Sequence, residues 1–426
     1  TAEAFEWKYG EKEVIYRPER LGLRKHIISC GDMTEKYDTV MILEDDIYVS
    51  PDFYNYAMQT LEKYGDHPQI AGIALNTKRE LLESVYPFFP LRTGYDIYFQ
   101  QFATSWGQVW NRRMWTGFKK WYEEHQTLPF HRDVLPQIQN YPDTSWAKFY
   151  QTYIVDQEKY FVYSYDSLTT NFGDAGQHFA DSASSVQSVL FYGKKQYLMP
   201  EFEKGVKYDI YGEPVGLGVC LGVPEEELTC DLWGRKPEHA YRRYVLSSRR
   251  LGYEVLKSFG LQMKPAELNI YENIPGQGIF LYDTQKPMEK VEDEKETRIR
   301  LLEYGYGINL VPLARLAMNR YDKDPCSCFK LDYREEEYDV RDAMLDEKMH
   351  KAIAIMQFKL EGQMIVGHPE FGMENRLLLD KIDPAAGTVL IEGKKYPLRD
   401  LNFPTIDWEH PYELRSEEHT SELQSL

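Results

Sequence analysis

The sequence is poor in the features that mark several classes of protein. It contains 5 Cys in 426 residues, and no two of them form a C-x-x-C pair. This usage argues against a disulfide framework and a structural zinc site, and it favours a reducing, cytoplasmic compartment. The sequence also lacks a run approaching the ~20 apolar residues of a membrane span, and its start carries no signal-peptide pattern.

A basic excess is absent too. Lys and Arg number 50 against 68 Asp and Glu, which gives a formal net charge of −18. Because nucleic acids are bound mainly through clustered Lys and Arg, this balance argues against a nucleic-acid partner. Apolar residues make up 42% of the chain and aromatic residues 14%, which is ample material for hydrophobic cores. The length exceeds what one core usually supports, so two domains are expected.

The first chemically informative pattern is a β-α-β unit that ends in acidic residues. The apolar, β-branched run at 39–43 predicts a buried parallel strand, and a short strand and a helix are predicted before it within 13–33. Glu44, Asp45 and Asp46 follow the run directly. They should therefore lie at the carboxyl edge of the sheet, where open α/β sheets bind ligands.

Three consecutive carboxylates suit a site for a divalent cation. Mn²⁺ or Mg²⁺ held by one or two carboxylates can neutralise a leaving diphosphate with few protein ligands. Adjacent side chains diverge at a strand end, so Asp46 can reach the metal while Asp45 or Glu44 faces a nucleotide. Acid triplets are also common on solvated surfaces, and the chemistry alone leaves that alternative open.

Aromatic residues dominate the next segments. Trp106, Trp110 and Trp115 lie at roughly helical spacing, which favours core packing over a platform for sugar rings. Residues 145–179 predict a helix, a strand and then an irregular polar loop. Beyond a charged stretch, the pattern predicts a long helix over 343–364 and strands within 387–400.

Several motifs in the first part of the chain resemble those of GT-A fold glycosyltransferases. LEDDIYVSPDFY, SWGQVWNRRMWTGF and SLTTNFGDAGQH are similar to bacterial relatives of the N-acetylglucosaminyltransferase I type, over about residues 5–284. The resemblance implies an α/β fold with a GT-A, Rossmann-like mixed sheet and flanking helices. It also implies a metal-dependent, inverting transfer from a nucleotide-sugar donor to a glycan or polysaccharide acceptor.

The resemblance also implies roles for individual residues. Asp46 would coordinate Mn²⁺ or Mg²⁺ at the donor's diphosphate, while Glu44 and Asp45 would contact the nucleotide. Apart from the resemblance, Arg20, Arg24 and Lys25 on the helix before the strand are candidates to offset phosphate charge, although exposed helix cations are the commoner alternative. His178 would be a second metal or diphosphate contact, although a loop histidine bonded to nearby backbone is an equal alternative.

The catalytic base of such a transfer is a carboxylate that deprotonates the acceptor hydroxyl. The family pattern has an Asp directly before a Trp, whereas Ser145 precedes Trp146 in this sequence. This departure leaves the base between Asp143, which we favour, Asp174 and a residue that the sequence does not identify. GT-A domains begin with a strand and loop that contact the nucleobase, and the resemblance of this sequence starts after that strand. We therefore expect no transferase activity from this chain, and we leave open a membrane association of the full-length transferase.

A second resemblance covers about residues 300–414. The stretches LLEYGYGINLVPLARLAMNRYDKDPC, PEFGMENRLLLDKID and YPLRDLNFPTIDWEHPYEL resemble class III fructose-1,6-bisphosphatases of bacteria. This resemblance implies a separate α+β fragment of a calcineurin-like phosphatase of carbohydrate metabolism. The metal-ligand signatures of that core, D-x-H, G-D-x-x-D-R-G and G-N-H-D, are absent from the sequence, so we expect no hydrolysis by this segment.

Together these patterns divide the chain into five segments. They are a transferase core without its first strand (1–200), the C-terminal part of the transferase (201–284), an acidic junction (285–299), the phosphatase fragment (300–414), and a tail similar to a translated sequencing adapter (415–426). Two truncated families in one chain indicate an assembly artefact. The main hypothesis is a glycosyltransferase, and the alternatives are a fructose-1,6-bisphosphatase and a non-catalytic carbohydrate-binding protein.

Overall fold

The computed structural model describes residues 3–77, 79–82, 86–172 and 187–289, positions 297, 300, 301, 304 and 305, and strands between residues 330 and 397. Helices and mixed sheets alternate along the chain, which confirms the α/β class. No helix in these described ranges is both long and apolar enough to cross a membrane.

The helices of residues 3–289 are short to medium in length. They are α1 Leu23–Asp32, α2 Thr34–Tyr37, α3 Phe53–Tyr64, α4 Arg112–Glu124, α5 Pro136–Gln139, α6 Trp146–Asp156, α7 Gly218–Leu221 and α8 Leu268–Tyr271. The strands of the same residues are β1 Thr39–Ile42, β2 Ile47–Val49, β3 Ile70–Ala74, β4 Ile97–Gln100, β5 Gln108–Asn111, β6 Tyr160–Ser164, β7 Thr169–Asn171, β8 Lys207–Tyr208, β9 Leu228–Asp231, β10 Tyr244–Ser247, β11 Tyr253–Phe259 and β12 Ile279–Pro287.

The larger sheet has the strand order β1-β5-β3-β6-β4-β8 and is mixed. β3 pairs with β6 and β4 with β8 in parallel, while the β1–β5, β3–β5 and β4–β6 pairs are antiparallel. A smaller sheet has the order β11-β12-β10-β9, and β2 pairs with β7 separately. The larger sheet thus brings the end of β1 close to segments that are distant in sequence.

The predicted β-α-β unit is wrong in two respects. Residues 13–17 form no strand, and among the described strands β1 lies at the edge of the larger sheet, where it pairs with β5 in the antiparallel sense. Its side chains are all partly exposed rather than buried. A short apolar run fits an edge strand covered on one face as well as a central parallel strand, so the sequence could not separate the two arrangements.

The core of this part is aromatic, as predicted, although its tryptophans do not share a helix. Trp110 lies in β5 and Trp115 in α4, and both are buried. The Trp110 ring is stacked against Tyr150 of α6, with 5.2 Å between the ring centroids. The predicted helix and strand after residue 145 are present as α6 and β6.

The strands between residues 330 and 397 form three small antiparallel sheets. They are β13 Lys330–Tyr333, β14 Glu336–Asp339, β15 Met356–Leu360, β16 Gln363–Gly367, β17 Leu377–Leu379, β18 Lys381–Asp383, β19 Thr388–Ile391 and β20 Lys394–Pro397. The strands predicted within 387–400 are present as β19 and β20. The long helix predicted over 343–364 is wrong at its C-terminal end, because β15 pairs antiparallel with β16 there.

Helix α1 is held against α4 by a close approach at Gly31. A Cβ atom at Gly31 would overlap the Trp115 ring. Next to this contact, Trp115 Nε1 donates to Asp32 Oδ1 at 2.9 Å, and Lys119 Nζ donates to the same carboxylate at 2.8 Å. These contacts fix the position of α1 relative to β1.

A buried carboxyl joins β8 to the residue before α8. Glu267 is 4% exposed and accepts a hydrogen bond from the Tyr208 hydroxyl at 2.6 Å. The same hydroxyl accepts a hydrogen bond from the backbone N–H of Leu91 at 2.7 Å. Burial raises the pKa of Glu267 from 4.5 to about 7, because the charged carboxylate loses its hydration.

Gly31→Ala should lower the free energy of unfolding by about 1–3 kcal/mol, the usual cost of overpacking a close contact. Chemical denaturation with tryptophan fluorescence measures this change. Lys25→Ala, at an exposed position of the same helix, is the control and should stay within about 0.5 kcal/mol of the wild type. An unchanged stability of the glycine variant would contradict the contact with Trp115.

Glu267→Gln should make stability less sensitive to pH. The raised pKa means that the folded state binds more protons than the unfolded state, so this residue costs stability as the pH rises from about 4.5 to 7. The variant should match the wild type near pH 4.5 and exceed it by up to about 3 kcal/mol above pH 8. Urea unfolding across this range tests the difference. Equal pH profiles for Glu267→Gln and for Glu272→Gln, an exposed control, would refute it.

Candidate functional site

The acidic run lines a cavity that opens at the end of β1. This first cavity has a volume of about 1620 Å³ and lies between the segment before α1, α1 itself, β1 and the residues that follow β1. Its charged and polar lining residues include Arg17, Glu19, Arg20, His26, Cys30, Tyr37, Thr39, Glu44, Asp45 and Asp46. The three acids therefore lie at one cavity, and their predicted roles as metal ligand and nucleotide contacts stay predictions.

The acidic run is held between two strands. β1 ends at Ile42 and β2 begins at Ile47, whose backbone N–H donates to the Glu44 carbonyl at 3.2 Å. β2 pairs antiparallel with β7, with Ile47 opposite Asn171. The acids therefore lie in a short connection that is anchored on both sides.

Asp46 has one bonded and one unbonded carboxylate oxygen. Its Oδ2 accepts a hydrogen bond from Asn171 Nδ2 at 2.8 Å, and its backbone carbonyl accepts one from the Phe172 N–H at 2.8 Å. Its Oδ1 is buried and has no hydrogen-bond partner in the part of the chain that the structure describes. An unsatisfied buried acceptor is costly, and a bound cation or water removes that cost.

The three carboxylates also repel one another. The pKa of Glu44 is raised from 4.5 to about 7, first by burial and then by the negative charges of Asp46 and Asp45. A cation in this cavity would lower the repulsion. Within the described ranges, however, no group of three or more His, Cys, Asp and Glu side chains has metal-binding geometry. Ligands from the solvent or from a bound molecule would have to complete such a site.

Two lining residues on α1 were not singled out by the sequence reasoning. Cys30 Sγ lies 3.8 Å from His26 Nε2, because residues four apart are neighbours on one helix face. Burial raises the pKa of the Cys30 thiol, so this sulfur stays protonated at neutral pH. The spacing of four residues between His26 and Cys30 could have indicated that they share a helix face. Only the position of α1 in the fold shows that this face lines the cavity.

Arg24 and Asp143 meet each other rather than the acidic run. The Arg24 guanidinium donates to the Asp143 backbone carbonyl and lies 5.0 Å from the centre of the Phe149 ring. The Asp143 side chain is 86% exposed and pairs with Lys148 at 2.8 Å, which lowers its pKa. Neither Arg24 nor Asp143 lines the first cavity. Asp174 and His178 lie outside the described residues.

Comparisons with known proteins match the C-terminal part of the chain. A family model described as Firmicute fructose-1,6-bisphosphatase matches residues 294–424. The chain is 53% identical over 119 residues to a protein of Bacteroides thetaiotaomicron named fructose-1,6-bisphosphatase class 3, covering 28% of this chain and 18% of that protein. Proteins of the same name from Clostridium tetani and Clostridium acetobutylicum are 55% identical over 117 residues and 52% identical over 118 residues, with the same coverage.

These matches confirm the predicted resemblance of the C-terminal part to class III fructose-1,6-bisphosphatases. The chain spans 18% of the length of these relatives. The main functional interpretation, a glycosyltransferase that transfers a sugar from a nucleotide-sugar donor to a glycan or polysaccharide acceptor, is wrong, because the matching proteins are named as phosphatases. The physical reason is that an acidic run at a strand end indicates affinity for cations but does not define a reaction.

Proposed function

We propose that residues 294–424 are a segment of a fructose-1,6-bisphosphatase class 3 and that fructose 1,6-bisphosphate is the substrate of the complete phosphatase. The observation that carries this proposal is the identity of 53–55% over 117–119 residues to proteins of that name. Phosphate-ester hydrolysis commonly uses Mn²⁺ or Mg²⁺, which neutralises developing charge and acidifies a bound water.

The organisation of the chain forms part of this proposal. We retain the boundaries at 200, 284, 299 and 414, with the phosphatase segment after an acidic junction. The family match begins at residue 294, inside that junction, and extends to 424, inside the predicted tail. For residues 1–200 and 201–284 we propose a GT-A arrangement, as a statement about the fold alone. For the phosphatase segment we propose an origin in a calcineurin-like phosphatase.

The phosphatase proposal can be tested by complementation. The whole chain is mixed, during refolding with Mn²⁺, with the Bacteroides thetaiotaomicron protein lacking its 119 matched residues. Phosphate release from fructose 1,6-bisphosphate should appear in the mixture, because the chain supplies the missing segment. Release is measured by a colorimetric phosphate assay.

The control for this experiment is a shortened chain that ends at residue 305, with its fold checked by circular dichroism. This control should restore no activity. Equal restoration by the two chains, or none by the whole chain, would reject the proposal. Hydrolysis by the whole chain alone would support the assignment and would correct the expectation that this segment is inactive.

We also propose that Asp46 binds a divalent cation in the first cavity, as Mn²⁺ or Mg²⁺. The support is the buried Asp46 Oδ1 without a partner in the described ranges, together with the raised pKa of Glu44. A cation would bind Asp46 Oδ1. It would also reduce the carboxylate repulsion that contributes to the raised pKa of Glu44. Asp45 and Glu44 are adjacent to Asp46 in the sequence and would accept hydrogen bonds from waters bound to the cation.

Asp46→Asn should weaken Mn²⁺ binding by about tenfold or more, because a neutral amide replaces the charged ligand. The amide oxygen can still accept from Asn171, so the local fold should be kept. Binding is measured from the electron paramagnetic resonance signal of free Mn²⁺. Asp66→Asn, at an exposed position, serves as the control and should bind like the wild type. Unchanged Mn²⁺ affinity in Asp46→Asn would exclude this site.

A further inference from the structure

A second cavity lies apart from the acidic run and carries the opposite charge. It has a volume of about 1010 Å³ and is lined by the segment before β4, the residues after β6, and the residues before α8. Among the described residues, its cationic lining residues are Arg79, Arg92 and Lys264, and its acidic lining residue is Asp166. The excess of cationic over acidic lining residues contrasts with the net charge of −18 of the whole chain.

The positive charge of the second cavity is not cancelled by neighbouring carboxylates. Asp166 is committed to Lys195, whose Nζ lies 2.9 Å from its Oδ2. Over the residues that the structure describes, no ion pair joins a carboxylate to Arg79, Arg92 or Lys264. A cation without a counter-ion beside a cavity attracts anionic ligands.

Aromatic rings hold two of these cations in place. The Arg92 guanidinium lies 5.1 Å from the centre of the Tyr165 ring, and Lys264 Nζ lies 5.1 Å from that of Phe89. Lys264 Nζ also donates one of its three N–H bonds to the Gly305 carbonyl at 3.1 Å. Cations stacked on rings lose less conformational freedom when they bind a ligand, and the rings supply apolar surface.

The wall of the second cavity is fixed by hydrogen bonds. The Leu91 N–H donates to the Tyr208 hydroxyl, and that hydroxyl donates to Glu267. On the opposite side, the Thr77 N–H donates to Ser167 Oγ at 2.9 Å. The Glu267 carboxyl is therefore occupied by Tyr208 and forms no ion pair with Lys264, although only two residues separate it from Lys264.

We propose that the second cavity binds a small phosphate monoester that carries a ring, with Arg79, Arg92 and Lys264 receiving the phosphate and the aromatic side chains contacting the ring. Guanidinium groups match phosphate oxygens in geometry as well as in charge, and the ammonium group adds a further donor. The three cations lie outside residues 294–424, and among the described residues only Gly305 of that segment lines the cavity, so this binding neither requires nor supports hydrolysis by the phosphatase segment.

The experiment uses phenyl phosphate as the probe and isothermal titration calorimetry of the whole chain as the readout. Phenyl phosphate should bind, and Arg92→Gln and Lys264→Gln should each weaken binding about tenfold, the loss expected for one charge-assisted hydrogen bond. Lys204→Gln, at an exposed position outside the cavity, is the control and should leave affinity unchanged. Circular dichroism checks that all variants are folded.

Two ligands separate the parts of the proposal. Inorganic phosphate should bind more weakly than phenyl phosphate, because it lacks the ring, and benzyl alcohol should not bind, because it lacks the charge. Equal affinities for inorganic and phenyl phosphate would overturn the role of the rings. Absence of phenyl phosphate binding at millimolar concentration, or equal binding by the wild type and both variants, would overturn the proposal as a whole.

Discussion

The burial of Trp110 is the constraint around which the described part of the chain is arranged. Its ring lies 5.2 Å from that of Tyr150 in α6 and 4.8 Å from that of Trp115 in α4, so one side chain joins two helices to the larger sheet. Burying about 200 Å² of one such ring contributes about 5 kcal/mol. Val40 of β1 lies opposite Trp110 in the pairing of β1 with β5. The position of Trp110 therefore also fixes the strand that leads to Glu44.

The two cavities use opposite electrostatic arrangements. In the first, carboxylates that repel one another are held together by the pairing of β2 with β7, and burial together with this repulsion raises the pKa of Glu44. In the second, cations are separated from carboxylates and stacked on rings. A cation would relieve the repulsion in the first cavity, whereas the second cavity offers cations without a carboxylate partner in the described residues to an anionic ligand.

The sequence predicted individual helices and strands better than it predicted where these elements lie in the tertiary fold. The helix and the strand predicted after residue 145 are observed as α6 and β6. The edge position of β1 was not predictable, since it depends on β5, which lies more than 60 residues later. Arg24 was misleading for a similar reason. The helix face that carries it packs on Phe149, a partner known only from the tertiary fold.

The site was predictable in part, and its chemistry was not. The acidic run indicated a site for cations, and the structure adds Asn171 as the residue that holds Asp46. Lys264 of the second cavity lies more than 170 residues from Arg79 and Arg92 in the sequence, so no local motif predicts that the three cations line one cavity. Likewise, the matches to fructose-1,6-bisphosphatase class 3 lie in residues 294–424, outside both the acidic run and most of the lining of the second cavity.

The edge position of β1 has a consequence for self-association. An edge strand offers backbone N–H and C=O groups to which a second copy of the sheet could add a strand. In this chain the edge ends in Glu44, Asp45 and Asp46, and two copies meeting at this edge would bring such acidic runs together. The carboxylates should therefore also act as a barrier to aggregation, and a cation bound between them would weaken that barrier.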